Sequence, residues 1–462
     1  MKEELMIQQE TLLPEDFCIK DASLFFNELD LLQLAKRYGT PLRLTYLPTI
    51  AKKIDLMKAY FQEAIYRTDY QGLYSYFYCT KSSHFQHVLK KALQSEIGIE
   101  ISSAYDTALI KSLIRTGDIP AGTRVICNGY KTPDYQAAII ALMKEDYCAV
   151  TPIVDSLSEL QHYLSFATSG KRISLGIRLN LSFLEGYANE SRFGLAAEDI
   201  IQHYTKDIQQ HKNIEFTTLH FFNEKGMDDN NDYWAVLAEV VQFYCRLKRL
   251  NPKLNSLDIG GGMPFQDSTE NPLAIQALVF RIVSTIQNIC REELVPEPNI
   301  ITEFGKYTVA EATNTIFKLL EKKPGDTLNW AIIDGSFITH LPDTWAIQQS
   351  YPVLPVNNMD EPHTAYTLGG LTCDSADFYP NSKTSKALML PDTQEEQFVA
   401  FLHTGAYQEA LSGFGGVNHC LIPSPKHIII DADKDSKLSF SLFAEKQSSA
   451  RLLDILGYAA LT

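Results

Sequence analysis

The chain has 462 residues, 45% of them hydrophobic and 21% charged, which allows two or three domains with an ordinary packed core. Its 56 acidic and 41 basic side chains leave a net charge of -15, which argues against nucleic acid and an anionic membrane surface as partners. No apolar run approaches the roughly 20 residues a membrane helix needs, and the polar opening Met1-Lys2-Glu3-Glu4 lacks the apolar core of a signal peptide, so a cytoplasmic protein is expected.

Residues 1–40 are mixed, with short pieces around Phe17-Cys18-Ile19 and Leu31–Ala35. Gly39-Thr40-Pro41 then leads into a strand at 42–46. Further strand-like runs follow at 74–80, 98–103, 124–129, 148–154, 174–180, 216–222, 256–260 and 299–304. Helical patterns alternate with them, at Thr49–Ile65, Tyr105–Thr116, Thr132–Lys144, Asn231–Leu250 and Asn271–Glu293. That rhythm predicts parallel βα units. Their number over residues 41–310 fits a (β/α)8 barrel better than an open doubly wound sheet, although periodicity alone leaves both open.

After about residue 310 the long helices thin out. Strand-like runs at 314–320, 328–334, 351–356, 364–372, 397–402, 426–431 and 437–443, separated by turns such as Lys323-Pro324-Gly325-Asp326, predict a mainly antiparallel β domain over residues 311–462. A helix is expected at Ala450–Ala460, and residues 1–40 are expected to join the β domain.

Several strand ends carry chemistry-bearing residues. Tyr74-Ser75-Tyr76-Phe77-Tyr78-Cys79-Thr80 ends at Lys81. A lysine there is either a solvated cap or an amine held to form a Schiff base with a carbonyl compound. Leu257-Asp258-Ile259 runs into Gly260-Gly261-Gly262, either a tight turn or a backbone cradle for an anion. It is neither a Walker loop nor a GxGxxG. Ile300-Ile301-Thr302 ends at Glu303, followed by Phe304-Gly305-Lys306-Tyr307. That glutamate is either a salt-bridged structural group or the partner of a protonated ring nitrogen. His220, before Phe221-Phe222-Asn223, or Phe222 offers a flat ring to a cofactor. Arg178, a charge inside an apolar strand, requires a buried anionic partner or an acidic neighbour and is grouped with the candidate cofactor-binding residues. Farther on stand Thr372-Cys373-Asp374-Ser375 and Gly405-Ala406-Tyr407-Gln408-Glu409. The eight cysteines form no CxxC pair and no Cys/His spacing typical of zinc, so buried free thiols and no metal are expected.

Taken together and in this order, the motifs resemble those of the fold-type III pyridoxal-phosphate (PLP) decarboxylases, the alanine-racemase-like group. The resemblance runs from Tyr38 to about Asp431. Lys81-Ser82-Ser83-His84-Phe85 and Gly405–Leu411 are most similar to short biosynthetic arginine decarboxylases. Two departures stand out. Lys306 occupies the place of the family's arginine, and His220-Phe221-Phe222-Asn223 lacks the Gly-Ser that usually follows the histidine.

The resemblance implies PLP as cofactor, held by Lys81, with Glu303 under the pyridine nitrogen and His220 against the ring. It places Gly260, Gly261, Gly262, Gly305, Lys306 and Tyr407 around the phosphate. It makes Cys373 the second catalytic residue, as donor of a proton to the α-carbon, and gives the substrate's distal cation to Asp374 and Asp343. It further implies decarboxylation of L-arginine to agmatine within polyamine and spermidine biosynthesis, by a homodimer or higher even oligomer whose sites are shared between chains. Ornithine, lysine, diaminopimelate or carboxynorspermidine are alternative substrates. A racemase would lack the Cys-Asp segment, a non-catalytic regulatory homologue would tend to lose Lys81 or Cys373, and a glycosidase gives no reason for Lys81.

Overall fold

The computed structural model describes residues 13–168, 170, 172–183, 191–227, 231–265, 274–380 and 387–458. The chain forms two compact units. One takes residues 1–50, 265–273 and 309–462; the other takes 51–264 and 274–308.

Three short strands open the first unit, β1 (Phe17–Lys20), β2 (Ser23–Phe26) and β3 (Leu29–Asp30), paired antiparallel. Helix Leu31–Tyr38 follows, its first turn capped by Asp30, whose carboxylate accepts the Gln33 N–H. Strand β4 (Leu42–Tyr46) comes next.

The second unit is a closed barrel of eight parallel strands. In chain order these are β5 (Tyr74–Cys79), β6 (Gly98–Ile101), β7 (Arg124–Cys127), β8 (Ala149–Val154), β9 (Ile173–Arg178), β10 (Ile214–His220), β11 (Ser256–Asp258) and β12 (Asn299–Phe304). Closure is made by β12 pairing with β5. Buried Phe77, Ile126, Ile153 and Ile301 form one cluster of the barrel core. Intervening helices start on residues that signal a start in the sequence. Ser103 and Ser156 accept the N–H of Asp106 and Glu159, and Thr132 caps a helix with Pro133 in its first turn. The helix expected at 271–293 is Ile275–Glu292, with residues 271–273 outside the described set.

After the barrel the chain returns to the first unit. The long β13 (Thr313–Lys323) pairs antiparallel with β4. It also pairs antiparallel with Trp330–Ile333 and Phe398–Phe401. Strand Lys426–Ala432 runs parallel to β4, and Leu438–Ala444 closes that edge. The sheet is mainly antiparallel, as the turn-punctuated pattern predicts. Its core combines Leu24 and Phe26 with Leu42, Leu44, Ile316, Ala400, Ile428 and Ile430.

One strand departs from the predicted order. The 42–46 run reads as the first barrel strand but lies in the sheet of the first unit. Leu42, Arg43, Leu44 and Thr45 are all buried, and a strand buried on both faces reads alike in a barrel and in the middle of a covered sheet. The terminal helix is Ser449–Ile455, shorter than the expected 450–460, whose last two residues lie outside the described set. Among the described residues, no helix is long and apolar enough to cross a membrane.

Candidate active site

The C-terminal ends of the barrel strands carry nearly all the polar groups that the sequence singles out between Lys81 and Glu303. Lys81 lies two residues past β5 in a short turn, Thr80–Ser82, with its side chain 46% exposed. Its Nζ donates to Glu100 Oε2 at 3.0 Å. Glu100 sits on β6 and is fully buried, and its Oε1 has no protein partner. The Thr80 hydroxyl donates to the Glu100 carbonyl, tying the lysine turn to the neighbouring strand.

Glu303, near the end of β12, is the electrostatic centre. Its Oε1 accepts the Asn128 Nδ2 amide at 2.7 Å, and His220 Nε2 stands 3.3 Å from its Oε2. Burial pushes the Glu303 carboxyl up, but His220, Lys81 and Asn128 outweigh burial and hold it down at about 2. Asp258, at the end of β11, behaves in the opposite way. Burial and the neighbouring Glu303 charge push its carboxyl well above the usual range. The two carboxyl groups are thus pushed apart, Glu303 toward its charged form and Asp258 toward its neutral one. Asp258 Oδ1 accepts the Gly260 N–H at 2.9 Å, while Oδ2 is buried without a protein partner.

The triglycine follows directly. Gly260 and Gly262 have φ of +67° and +98°, a region that side-chain-bearing residues avoid. Side chains are excluded at all three positions: a Cβ would meet Phe221 O at 2.7 Å from Gly260, Glu303 O at 2.5 Å from Gly261 and Gly226 Cα at 2.9 Å from Gly262. Gly305 packs so closely on the lysine turn that a Cβ would collide with the Ser82 hydroxyl.

His220 ends β10, is 1% exposed, and directs Nε2 at Glu303 while Nδ1 has no protein partner. Arg178 ends β9 and is half-buried. Its guanidinium lies 4.6 Å from the Phe193 ring and 6.0 Å from the Phe222 ring, so Phe222 faces a cation. Burial lowers the Arg178 pKa against the opposing charges of Asp155 and Glu303. Lys306 begins the one-turn helix Lys306–Val309 directly after β12. A cavity lined by Tyr74, Gly98, Pro120 and Arg124 lies at the other, N-terminal strand ends.

Sequence reasoning missed Glu100, Asn128 and Asp258. Glu100 carries the same signal as Arg178, a charge inside an apolar strand, here Gly98-Ile99-Glu100-Ile101. Asp258 immediately precedes the triglycine strand end.

The remaining predicted residues belong to the first unit. Cys373 and Asp374 lie in a loop organised by buried Asp377, whose carboxylate accepts the Phe337 N–H, the Thr372 N–H and the Thr372 hydroxyl. Both Cys373 and Asp374 are exposed. Asp343 is 4% exposed and accepts the Gln408 side-chain amide at 2.9 Å, with its own N–H returned to Gln408 Oε1. Tyr407 precedes that glutamine and has a φ of +67°. Of the eight free cysteines five are buried and Cys18 is half-buried, while Cys373 and Cys420 are exposed. Cys373 stands on a loop and Cys420 in the short turn His419–Leu421.

These barrel groups suit a phosphorylated pyridine aldehyde. Asp258 Oδ2, Glu100 Oε1 and His220 Nδ1 are buried polar atoms lacking protein partners, the glycines leave an anion-sized approach to backbone, Glu303 offers a fixed negative charge, and Lys81 is an amine at the mouth.

The comparisons with known proteins agree. A sequence model of the family described as pyridoxal-dependent decarboxylase, pyridoxal binding domain, matches residues 55–310. The biosynthetic arginine decarboxylase of Prochlorococcus marinus subsp. pastoris is 21% identical, covering 94% of this chain and 86% of that protein. Among solved structures, the biosynthetic arginine decarboxylase SpeA of Campylobacter jejuni superposes with a TM-score of 0.81 at 20% identity, covering 96% of this chain and 89% of that one. Diaminopimelate decarboxylase of M. jannaschii gives a TM-score of 0.76 at 18% identity, covering 95% and 97%. With more than half of its length matched, and with the barrel and antiparallel sheet those structures share, this chain belongs to the pyridoxal-dependent decarboxylases and takes PLP as its cofactor.

Proposed function

We propose that the protein decarboxylates L-arginine to agmatine and carbon dioxide, as a cytoplasmic step of polyamine synthesis. The observation that carries the reading is the convergence of Lys81, the Glu303–His220 pair and the triglycine at one end of the barrel, in a chain whose curated relatives are biosynthetic arginine decarboxylases.

Bound PLP supplies an acceptor for the electron pair left on the α-carbon when the carboxylate departs. Lys81 holds the cofactor aldehyde, and its bond to buried Glu100 keeps the amine at the barrel mouth. Glu303 places a negative charge where the ring nitrogen must stay protonated, and its low pKa keeps that charge through the working pH range. Asn128 and His220 fix its two oxygens. The Gly260–Gly262 backbone, with Gly305 and Lys306, is assigned to the phosphate, and Arg178 adds positive charge at the end of β9.

Cys373 then delivers a proton to the α-carbon. Asp374 is assigned to the substrate's distal guanidinium, for which a carboxylate is a planar two-point partner. The burial of Asp343 and its bonds to Gln408 support a role in positioning the Tyr407 segment as well. Cys373 and Asp374 act on the barrel of a second copy in this reading, so the working unit is a homodimer or larger even assembly.

A second substrate reading rests on the likeness to diaminopimelate decarboxylase. The cofactor-loaded protein, offered arginine, ornithine, lysine, diaminopimelate and carboxynorspermidine in turn, separates them by carbon dioxide release. Arginine is expected to give the highest kcat/KM. Release from ornithine but not from arginine overturns the substrate assignment.

A further inference from the structure

Cys373 has neighbours that the decarboxylation reading does not use. Its Sγ lies 3.4 Å from the Sγ of Cys420. His419, next to Cys420 in the chain, brings a ring nitrogen to the same place, and the three ligand atoms all lie within 4.8 Å of one another. All three side chains are exposed. Cys373 and His419 are far apart in sequence, which is why no ligand spacing shows in the chain.

Both arms of the cluster are held from behind. On one side, the Cys373 loop hangs on Asp377, and the Gly370 N–H donates to the Asp377 carbonyl. On the other, the Ile422 N–H donates to the His419 carbonyl, and the Asn418 side-chain amide donates to the Ile422 carbonyl. Within that turn Cys420 has a φ of +52°.

We propose that Cys373, His419 and Cys420 form a site for zinc, a soft-ligand-preferring divalent cation, and that its occupation switches the enzyme off. Two sulfurs on one tetrahedral zinc, each at about 2.3 Å, stand about 3.8 Å apart, and an imidazole nitrogen binds at about 2.0 Å. The present separations need only small side-chain rotations to meet that geometry. Three ligands leave a fourth position for water. Two thiolates and a neutral imidazole match the charge of a divalent zinc ion, and the two thiol protons pass to solvent on binding. The metal-bound Cys373 sulfur then has no proton to give to the α-carbon. This inhibitory consequence rests on the proposed role of Cys373, whereas the site itself does not.

Cobalt(II), added under a phosphine reductant to chelator-treated protein loaded with PLP, is the probe for the site. One cobalt per chain is expected, with a sulfur-to-cobalt charge-transfer band that zinc abolishes. Cys420→Ser and His419→Ala each weaken binding at least tenfold and leave metal-free activity unchanged. Zinc is expected to inhibit the wild type reversibly, and the inhibitory concentration rises at least tenfold in either variant. No band in protein whose eight cysteines all titrate as thiols overturns the proposal. A titre lower by two, marking a Cys373–Cys420 disulfide, overturns it as well. Cobalt binding without zinc inhibition upholds the site and overturns the assignment of Cys373 as proton donor.

Discussion

His220 Nε2 stands 3.3 Å from Glu303 Oε2, with both side chains buried at the C-terminal ends of neighbouring regions of the barrel. Asn128 occupies the other Glu303 oxygen, and burial with the Glu303 charge shifts Asp258 toward its neutral form, so of these two carboxyl groups Glu303 is the one held charged.

Replacing the charged member is expected to be far more harmful than replacing the neutral one. Glu303→Gln removes the charge and lowers kcat by about 100- to 1000-fold, the usual cost of losing one preorganised electrostatic partner. Asp258→Asn reproduces a protonated carboxyl in shape and keeps an acceptor for the Gly260 N–H, so kcat falls by less than about tenfold. Steady-state kinetics of the two variants check the assignment; equal losses would contradict it.

Lys81→Ala is expected to lose the near-visible absorption of the PLP-loaded protein together with its activity. An absorption band that survives the substitution would show that the amine is elsewhere.

Gly261→Ala places a Cβ 2.5 Å from the Glu303 carbonyl oxygen. Overpacking of this kind costs about 1–3 kcal/mol. Cofactor affinity measured by fluorescence quenching is expected to fall, because the displaced backbone is the proposed phosphate cradle.

The buried pair Lys131–Glu159, at 3.1 Å, supports the barrel from between β7 and β8. The Lys131 ammonium also donates to the Gly129 and Ile153 carbonyls. Lys131→Met leaves Glu159 buried and unpaired, and a loss of about 3–5 kcal/mol is expected in urea unfolding. Adding Glu159→Gln recovers part of that loss.

His340 makes folding sensitive to acid. Burial, with the nearby Arg43 charge, lowers its pKa from 6.5 to about 4. As a neutral ring it accepts the Ser336 N–H on Nδ1 and donates from Nε2 to the Pro423 carbonyl. The unfolded chain binds the extra proton between those two pKa values, so stability rises with pH there. The contribution is complete above pH 6.5 and is lost as pH falls toward 4, about 3 kcal/mol in all. Urea midpoints between pH 4 and 8 are expected to follow that slope, and His340→Gln reduces it, leaving the part due to buried His427.

The amino-acid sequence by itself determined the alternation of strands and helices, the residue at each strand mouth and the family motifs. These are local properties: apolar period, glycine at positive φ, and a polar group ending an apolar run. Lys81, Glu303 and Gly260–Gly262 were legible for that reason. Only the tertiary structure decided what those residues face. It moved β4 out of the barrel, because burial on both faces looks the same in any covered sheet. It brought Glu100, Asn128 and Asp258 into the site, since hydrogen-bond partners come from strands adjacent in space and not in the chain. It also set Cys373 beside Cys420, a meeting that depends on two loops each anchored by buried or backbone hydrogen bonds, for which a sequence carries no periodic signal.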